Sequence, residues 1–376
     1  MQIRAAVLHE MGLPRPYAES KPLRVETLDL DPPGFGELLV EVRAAGLCHS
    51  DLSVINGDRP RPVPMALGHE AAGIVRETGR GVTDVVPGDH VVLVFVPSCG
   101  RCEPCATGRP ALCEPGNAAN IAGSLISGAR RLRLNGGTIH HHLGVSAFAD
   151  HAVVSRNSCV RVDPALPLEH AALFGCAVLT GVGSVTNTAR IEAGSTVAVV
   201  GLGGVGLNAV LGALVAGARQ IVAIDLLDDK LATAAELGAT DTFNAGSADV
   251  VERIREATDG GVDCAIDFTG SERALELAYA VTHRGGTTVT GGLAHPDRHV
   301  SIQQQNLVVE ERTLKGSYVG SCVPTRDIPR FTSLFRQGRL PVDRLLSRRV
   351  HGLDELNEAF DQLADGRVIR QVLTFN

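Results

Sequence analysis

Two short stretches carry the residue types that a catalytic metal needs. One reads Gly46-Leu47-Cys48-His49-Ser50-Asp51, the other Leu67-Gly68-His69-Glu70. Each offers one donor, the Cys48 sulfur or the His69 imidazole, with an acid close behind. Zinc favours this mixture of soft sulfur and borderline nitrogen, and a catalytic zinc keeps three protein ligands and one open position. A third donor must then come from farther along, and Cys176 is the candidate. A lone cysteine in an apolar run is more often core than ligand. Gly175 before it and Thr180-Gly181-Val182-Gly183 after it mark a place where backbone or ligand comes close. That favours the metal reading without closing the question.

A second cluster does different chemistry. Cys99, Cys102, Cys105 and Cys113 follow the spacing C-x2-C-x2-C-x7-C in a loop punctuated by Gly100, Pro104, Gly108 and Pro110. Four thiolates this close complete a tetrahedral zinc site with no open position, a staple for the loop; an iron–sulfur centre is the rarer alternative. Farther on, the apolar run Ser195 to Val200 enters Gly201-Leu202-Gly203-Gly204-Val205-Gly206, then an amphipathic helix to Ala216, then Gln220 to Asp225. Strand, G-x-G-x-x-G, helix, strand, acid is a dinucleotide-binding fingerprint. Gly201, Gly203, Gly204, Val205 and Gly206 would let a pyrophosphate reach the helix N-terminus. Asp225 would accept from the adenosine ribose hydroxyls and repel a 2′-phosphate, which favours NAD over NADP.

These groups need two kinds of scaffold. The first 100 residues are β-rich and broken by glycine and proline, as in a small barrel. From about Val178, helices alternate with apolar strands, the pattern of a doubly wound parallel sheet. The expected class is α/β: a dinucleotide-binding Rossmann domain over 178–322, and a β-rich catalytic domain of GroES-like type over 1–177 and 323–376. Residues 114–145 are polar and glycine-rich and read as long loops over the pocket. Within them His140-His141-His142 is not one ligand set, because consecutive side chains diverge, so at most one faces a pocket.

A chain of 376 residues suits two domains. Its net charge of −7 argues against a nucleic-acid partner. No apolar run approaches the roughly 18 residues needed to cross a membrane. The N-terminus alternates like a strand and lacks signal-peptide features. Nine cysteines without an export signal argue for metal rather than disulfides. The expected location is the cytoplasm.

With these motifs in place, nearly the whole chain resembles the zinc-dependent medium-chain alcohol dehydrogenases. It is most like the branch that holds the liver enzymes and the glutathione-dependent formaldehyde dehydrogenases. The resemblance implies a catalytic zinc on Cys48, His69 and Cys176 and a structural zinc on the four clustered cysteines, two per subunit. It implies Asp51 as an orienter of His69, Glu70 as a close or alternate ligand, and Ser50 as the hydroxyl that takes the substrate's proton. Thr180 would touch the nicotinamide, His49 and Arg370 would lie near the cofactor phosphates, and Lys230 would help Asp225 hold the ribose. Phe95 and His142 would line the substrate pocket, His142 replacing an aromatic wall. A homodimer joined through residues 286–320 is expected.

The chain departs from that pattern in three places. Ser53 stands where many members carry the histidine that passes the proton to water, His142 makes the pocket wall polar, and Asn117 replaces an arginine of the glutathione-using members. The implied reaction is hydride transfer between NAD and a primary or secondary alcohol, aromatic alcohols included, giving an aldehyde or ketone. The rivals are a formaldehyde dehydrogenase using another thiol, a zinc-free enone reductase and a non-catalytic NAD-binding protein on the same fold.

Overall fold

A computed structural model describes residues 1–375. They form two compact units. The first comprises Met1–Cys176, Val323–Ser333 and Val342–Asn376, the second Ala177–Cys322 and Leu334–Pro341.

The first unit is built on two sheets. Strands Gln2–Leu8, Leu23–Leu30, Leu132–Leu134, Gly137–His141 and Met65–Ala66 close a barrel. Ile3, Ala5, Val7, Leu28, Leu132 and Ile139 pack in a single apolar cluster there. The second sheet runs Cys159–Arg161, His90–Leu93, Ala71–Thr78, Glu37–Leu47, Arg370–Thr374, Leu346–His351, with His151–Ser155 also paired to Glu37–Leu47. Glu37–Leu47 is the long central strand, and its end delivers Cys48.

The loops expected over 114–145 are only partly loops. Glu114–Ala122 is a helix, with Pro115 in its first turn and Gly123 at φ +64° closing it. Leu132–Leu134 and Gly137–His141 form a hairpin across Asn135-Gly136, both at positive φ. Asn-Gly between alternating residues is the turn whose twist matches paired strands. Polar composition masked a local turn signal that was in the sequence.

In the second unit six parallel strands run in the order Asp241–Asn244, Gln220–Asp225, Thr196–Val200, Val262–Asp267, Thr282–Thr290, Thr313–Gly316. Numbered along the chain this is 3-2-1-4-5-6, a doubly wound dinucleotide-binding sheet, whose ligands bind at the carboxyl ends of the strands where the order reverses. Thr196–Val200 is buried throughout, as a central parallel strand must be. No single described helix is long and apolar enough to cross a membrane.

Candidate active site and metal centres

Cys48 is the N-cap of the helix His49–Ile55. Asp51, in that helix's first turn, accepts from the Gly68 N–H at 3.2 Å through Oδ1. This bond ties the helix to the turn carrying His69 and Glu70. Cys176 follows the 3-10 turn Leu173–Gly175 with an irregular backbone, φ −142° and ψ −71°. These elements bring one donor atom each from Cys48, His69, Glu70 and Cys176 within 4.8 Å of one another, all four residues buried.

The electrostatics of this cluster call for a cation. A hydrogen bond from Cys176, with the charges of His69 and Arg370, holds the Cys48 thiol well below the usual thiol range. Cys176, as the donor and buried, goes up. Burial pushes the Glu70 carboxyl up to about 7 despite Arg370. For His69, burial works against a positive charge, yet Asp51 and Cys48 overcome it and raise the imidazole well above its ordinary value. His69 Nε2 and Glu70 Oε1 are buried with no hydrogen-bond partner. Unpartnered buried donors beside two sulfurs are what a metal ion satisfies. The residues present fit zinc.

Around the donors sit the groups that hold them. His69 Nδ1 lies 3.0 Å from Asp51 Oδ2, both fully buried, an ion-pair contact whose geometry falls short of a hydrogen bond. The Phe95 ring meets the His69 ring edge-on at 5.1 Å. Arg370, only 4% exposed, pairs with Glu70. Gly46 makes room for that pair, since a Cβ there would lie 2.8 Å from Glu70 Cδ and 2.9 Å from Arg370 Nη2. No sequence signal joined Gly46, Glu70 and Arg370, which lie on separate strands or turns. His142, expected in a pocket wall, is 1% exposed and turns Nδ1 toward Asp51 Oδ1 at 3.2 Å. Ser50 is half-buried and His49 exposed. Ser53 Oγ donates to the His49 carbonyl at 2.8 Å.

The four clustered cysteines also converge, their sulfurs within 4.8 Å of one another. Backbone N–H groups of Cys99 and Gly116 donate to the Cys113 sulfur at 3.2 and 3.4 Å, and that of Cys102 to Cys99 at 3.3 Å. The N–H groups of Arg101 and Cys102 draw the Cys99 thiol down to about 6. Burial pushes Cys105 up to about 12. Sulfurs that receive N–H donors and crowd together suit thiolates around one metal.

In the second unit Gly201 takes φ +86° and a Cβ on Gly206 would lie 1.8 Å from the Gly201 carbonyl, so the turn tolerates no side chain there. Gly203 caps the helix Gly204–Ala216 without a side-chain cap, and a Cβ on it would meet nothing within 4 Å. Open space before free N–H groups fits a pyrophosphate. Asp225 accepts from the Leu202 N–H at 2.7 Å and the Leu227 N–H at 3.1 Å, holding the glycine turn itself. Lys230 is half-buried in the helix Asp228–Glu236. Thr180 lies in the helix Ala177–Gly183, its carbonyl accepting from Ser184 Oγ at 2.6 Å.

Comparison with known proteins agrees with this chemistry. Residues 34–164 match the alcohol dehydrogenase GroES-like domain, and residues 204–337 the zinc-binding dehydrogenase domain. An NDMA-dependent alcohol dehydrogenase of Amycolatopsis methanolica is 40% identical over 377 residues, covering 99% of each chain. The chain belongs to the zinc-dependent medium-chain alcohol dehydrogenases. Among solved members of this family, the benzyl alcohol dehydrogenase of Acinetobacter calcoaceticus is 32% identical with a TM-score of 0.93 and covers 100% of both chains. An alcohol dehydrogenase zinc-binding domain protein of Burkholderia ambifaria is 35% identical, also with a TM-score of 0.93, over 100% of this chain and 99% of its own. The family assignment makes this alcohol dehydrogenase an oxidoreductase that uses zinc and a nicotinamide cofactor.

Proposed function

We propose that the protein oxidises primary or secondary alcohols, aromatic ones included, reversibly to aldehydes or ketones with NAD, holding one catalytic and one structural zinc. The observation that carries this reading is the buried convergence of Cys48, His69, Glu70 and Cys176. Zinc held there supplies Lewis acidity that lets an alcohol hydroxyl lose its proton near neutral pH. Cys48, His69 and Cys176 hold the ion, and Glu70 with Arg370 sets the charge behind it. Ser50, two residues past Cys48, accepts the hydroxyl proton at Oγ and passes its own onward. The glycine turn and the Gly204–Ala216 N-terminus bind the pyrophosphate. Asp225 disfavours a 2′-phosphate, which supports NAD over NADP. A nicotinamide cofactor held by these residues would supply the hydride acceptor. The likeness to a benzyl alcohol dehydrogenase supports an aromatic substrate.

We place the working form in the cytoplasm as a homodimer. The edge strand Thr313–Gly316 and the exposed Val308 and Val309 supply an apolar face in the second unit for that contact.

The test is an alcohol and aldehyde panel run with NAD, NADP and NDMA as acceptors, with metal content measured on the same samples. The reading predicts alcohol-dependent NADH formation, a preference for NAD, and two zinc per chain. Turnover only with an added thiol would favour the formaldehyde-dehydrogenase alternative. No turnover with any acceptor would leave a binding protein.

A further inference from the structure

We propose that His142 is a positioning residue for the His69 ligand: it grips one oxygen of Asp51 so that the other stays on the His69 ring. The proposal rests on the reading of Cys48, His69 and Cys176 as metal ligands. Asp51 lies between two imidazoles. Its Oδ2 is 3.0 Å from His69 Nδ1, its Oδ1 is 3.2 Å from His142 Nδ1, and Oδ1 also accepts from Gly68 N–H. The two rings stand edge to face at 5.6 Å and 89°. All three side chains are at most 1% exposed, so no water competes for these contacts.

The place of the His142 ring is built rather than incidental. Its backbone N–H donates to Ser146 Oγ at 2.8 Å, and its carbonyl accepts from Val145 and Ser146 N–H at 3.0 and 3.3 Å. Leu143 and Ser146 hold this turn at φ +52° and +54°, a conformation that side chains other than glycine adopt at a cost. His142 Nδ1 faces a carboxylate oxygen, which can only accept, so the proton belongs on that nitrogen; like the His69 contact, this one is close but falls short of hydrogen-bond geometry. An oxygen anchored by His142 and Gly68 cannot swing away from His69. Carboxylates that orient a metal-bound histidine matter at the level of about 10–100-fold in metal affinity or activity, and here the carboxylate has an orienter of its own.

Three variants of the full-length zinc enzyme separate this role from a pocket wall. His142→Asn keeps a donor near the Nδ1 position, His142→Gln moves it outward, and His142→Phe removes it at similar shape. The readouts are the rate of zinc release to a chromogenic chelator, the visible absorption of the cobalt-substituted enzyme, and kcat separated from KM. The expected result is release from one of two zinc sites about 10-fold faster in His142→Phe and His142→Gln. The cobalt band should shift and kcat fall at steady KM, with His142→Asn close to wild type. Equal release rates in the Asn and Gln variants would overturn the proposal even if the Phe variant does not fold. So would a Phe variant that changes only KM among alcohols. Wild type holding a single zinc would instead refute the underlying ligand reading.

Discussion

The two cysteine-bearing regions of the catalytic unit solve opposite problems. The loop site at Cys99, Cys102, Cys105 and Cys113 draws only on sulfur. Three of its four residues are partly exposed, and its charge is balanced by backbone N–H groups from the same loop. Everything that defines it lies within a short stretch of chain, and it leaves no donor position free. The other site mixes two sulfurs, an imidazole and a carboxylate, all buried. Its compensating charge comes from Arg370, 300 residues beyond Glu70 in the chain. A local closed site can staple a loop. A buried mixed site assembled from distant segments can leave room for a substrate oxygen, at the cost of needing the whole fold to hold it.

The sharpest way to break this contrast is to remove one sulfur from each site. Cys176→Ser should lower kcat by at least about 10³-fold, because Lewis-acid stabilisation supplies several kcal/mol. Its metal content should fall by one ion and its thermal midpoint should barely move, as read by steady-state assay and metal analysis. Cys102→Ser should do the converse. It should lose the other ion and roughly 4 kcal/mol of stability in denaturant titration, while each folded molecule keeps near-normal turnover. If both variants lose activity to the same degree at equal folded fraction, the division of labour is wrong.

The contrast in charge compensation gives the next effect. Arg370→Met leaves Glu70 buried without its partner and should cost about 3 kcal/mol. A Glu70→Gln, Arg370→Met double variant should recover a good part of that in a denaturant cycle. Additive losses would mean that the pair is not the unit.

The smallest effect concerns Ser53. Its hydroxyl is spent on the His49 carbonyl, and serine does not titrate near neutrality as histidine does. Ser53→His should raise turnover roughly two- to fivefold below pH 7, where proton removal limits. Superimposable pH–rate profiles would dismiss that idea.

What could be read from the sequence follows the same division. The four cysteines and the glycine turn declare themselves because their spacing is local and their chemistry needs that spacing. The alternation after Val178 announces a parallel sheet for the same reason. Cys176 carried no such pattern; only the fold brings it to Cys48. The Glu70–Arg370 pair and the room that Gly46 leaves for it depend on neighbouring strands, and no periodicity encodes them. In the sequence His142 reads as a pocket wall, because one face of a histidine looks like any other there. Its contact with Asp51 depends on a turn at Leu143–Ser146 with three positive φ angles, of which a glycine announces only the one at Gly144.

The most direct test is zinc X-ray absorption on the purified enzyme and on Cys102→Ser. With four sulfurs at one site and two at the other, the average for wild type should be three sulfurs per zinc at about 2.3 Å. It should fall to two, with nitrogen or oxygen completing the shell, once the loop site is emptied. Four sulfurs per zinc in wild type, or a Cys102→Ser spectrum that does not change when Cys176 is also replaced, would contradict the account.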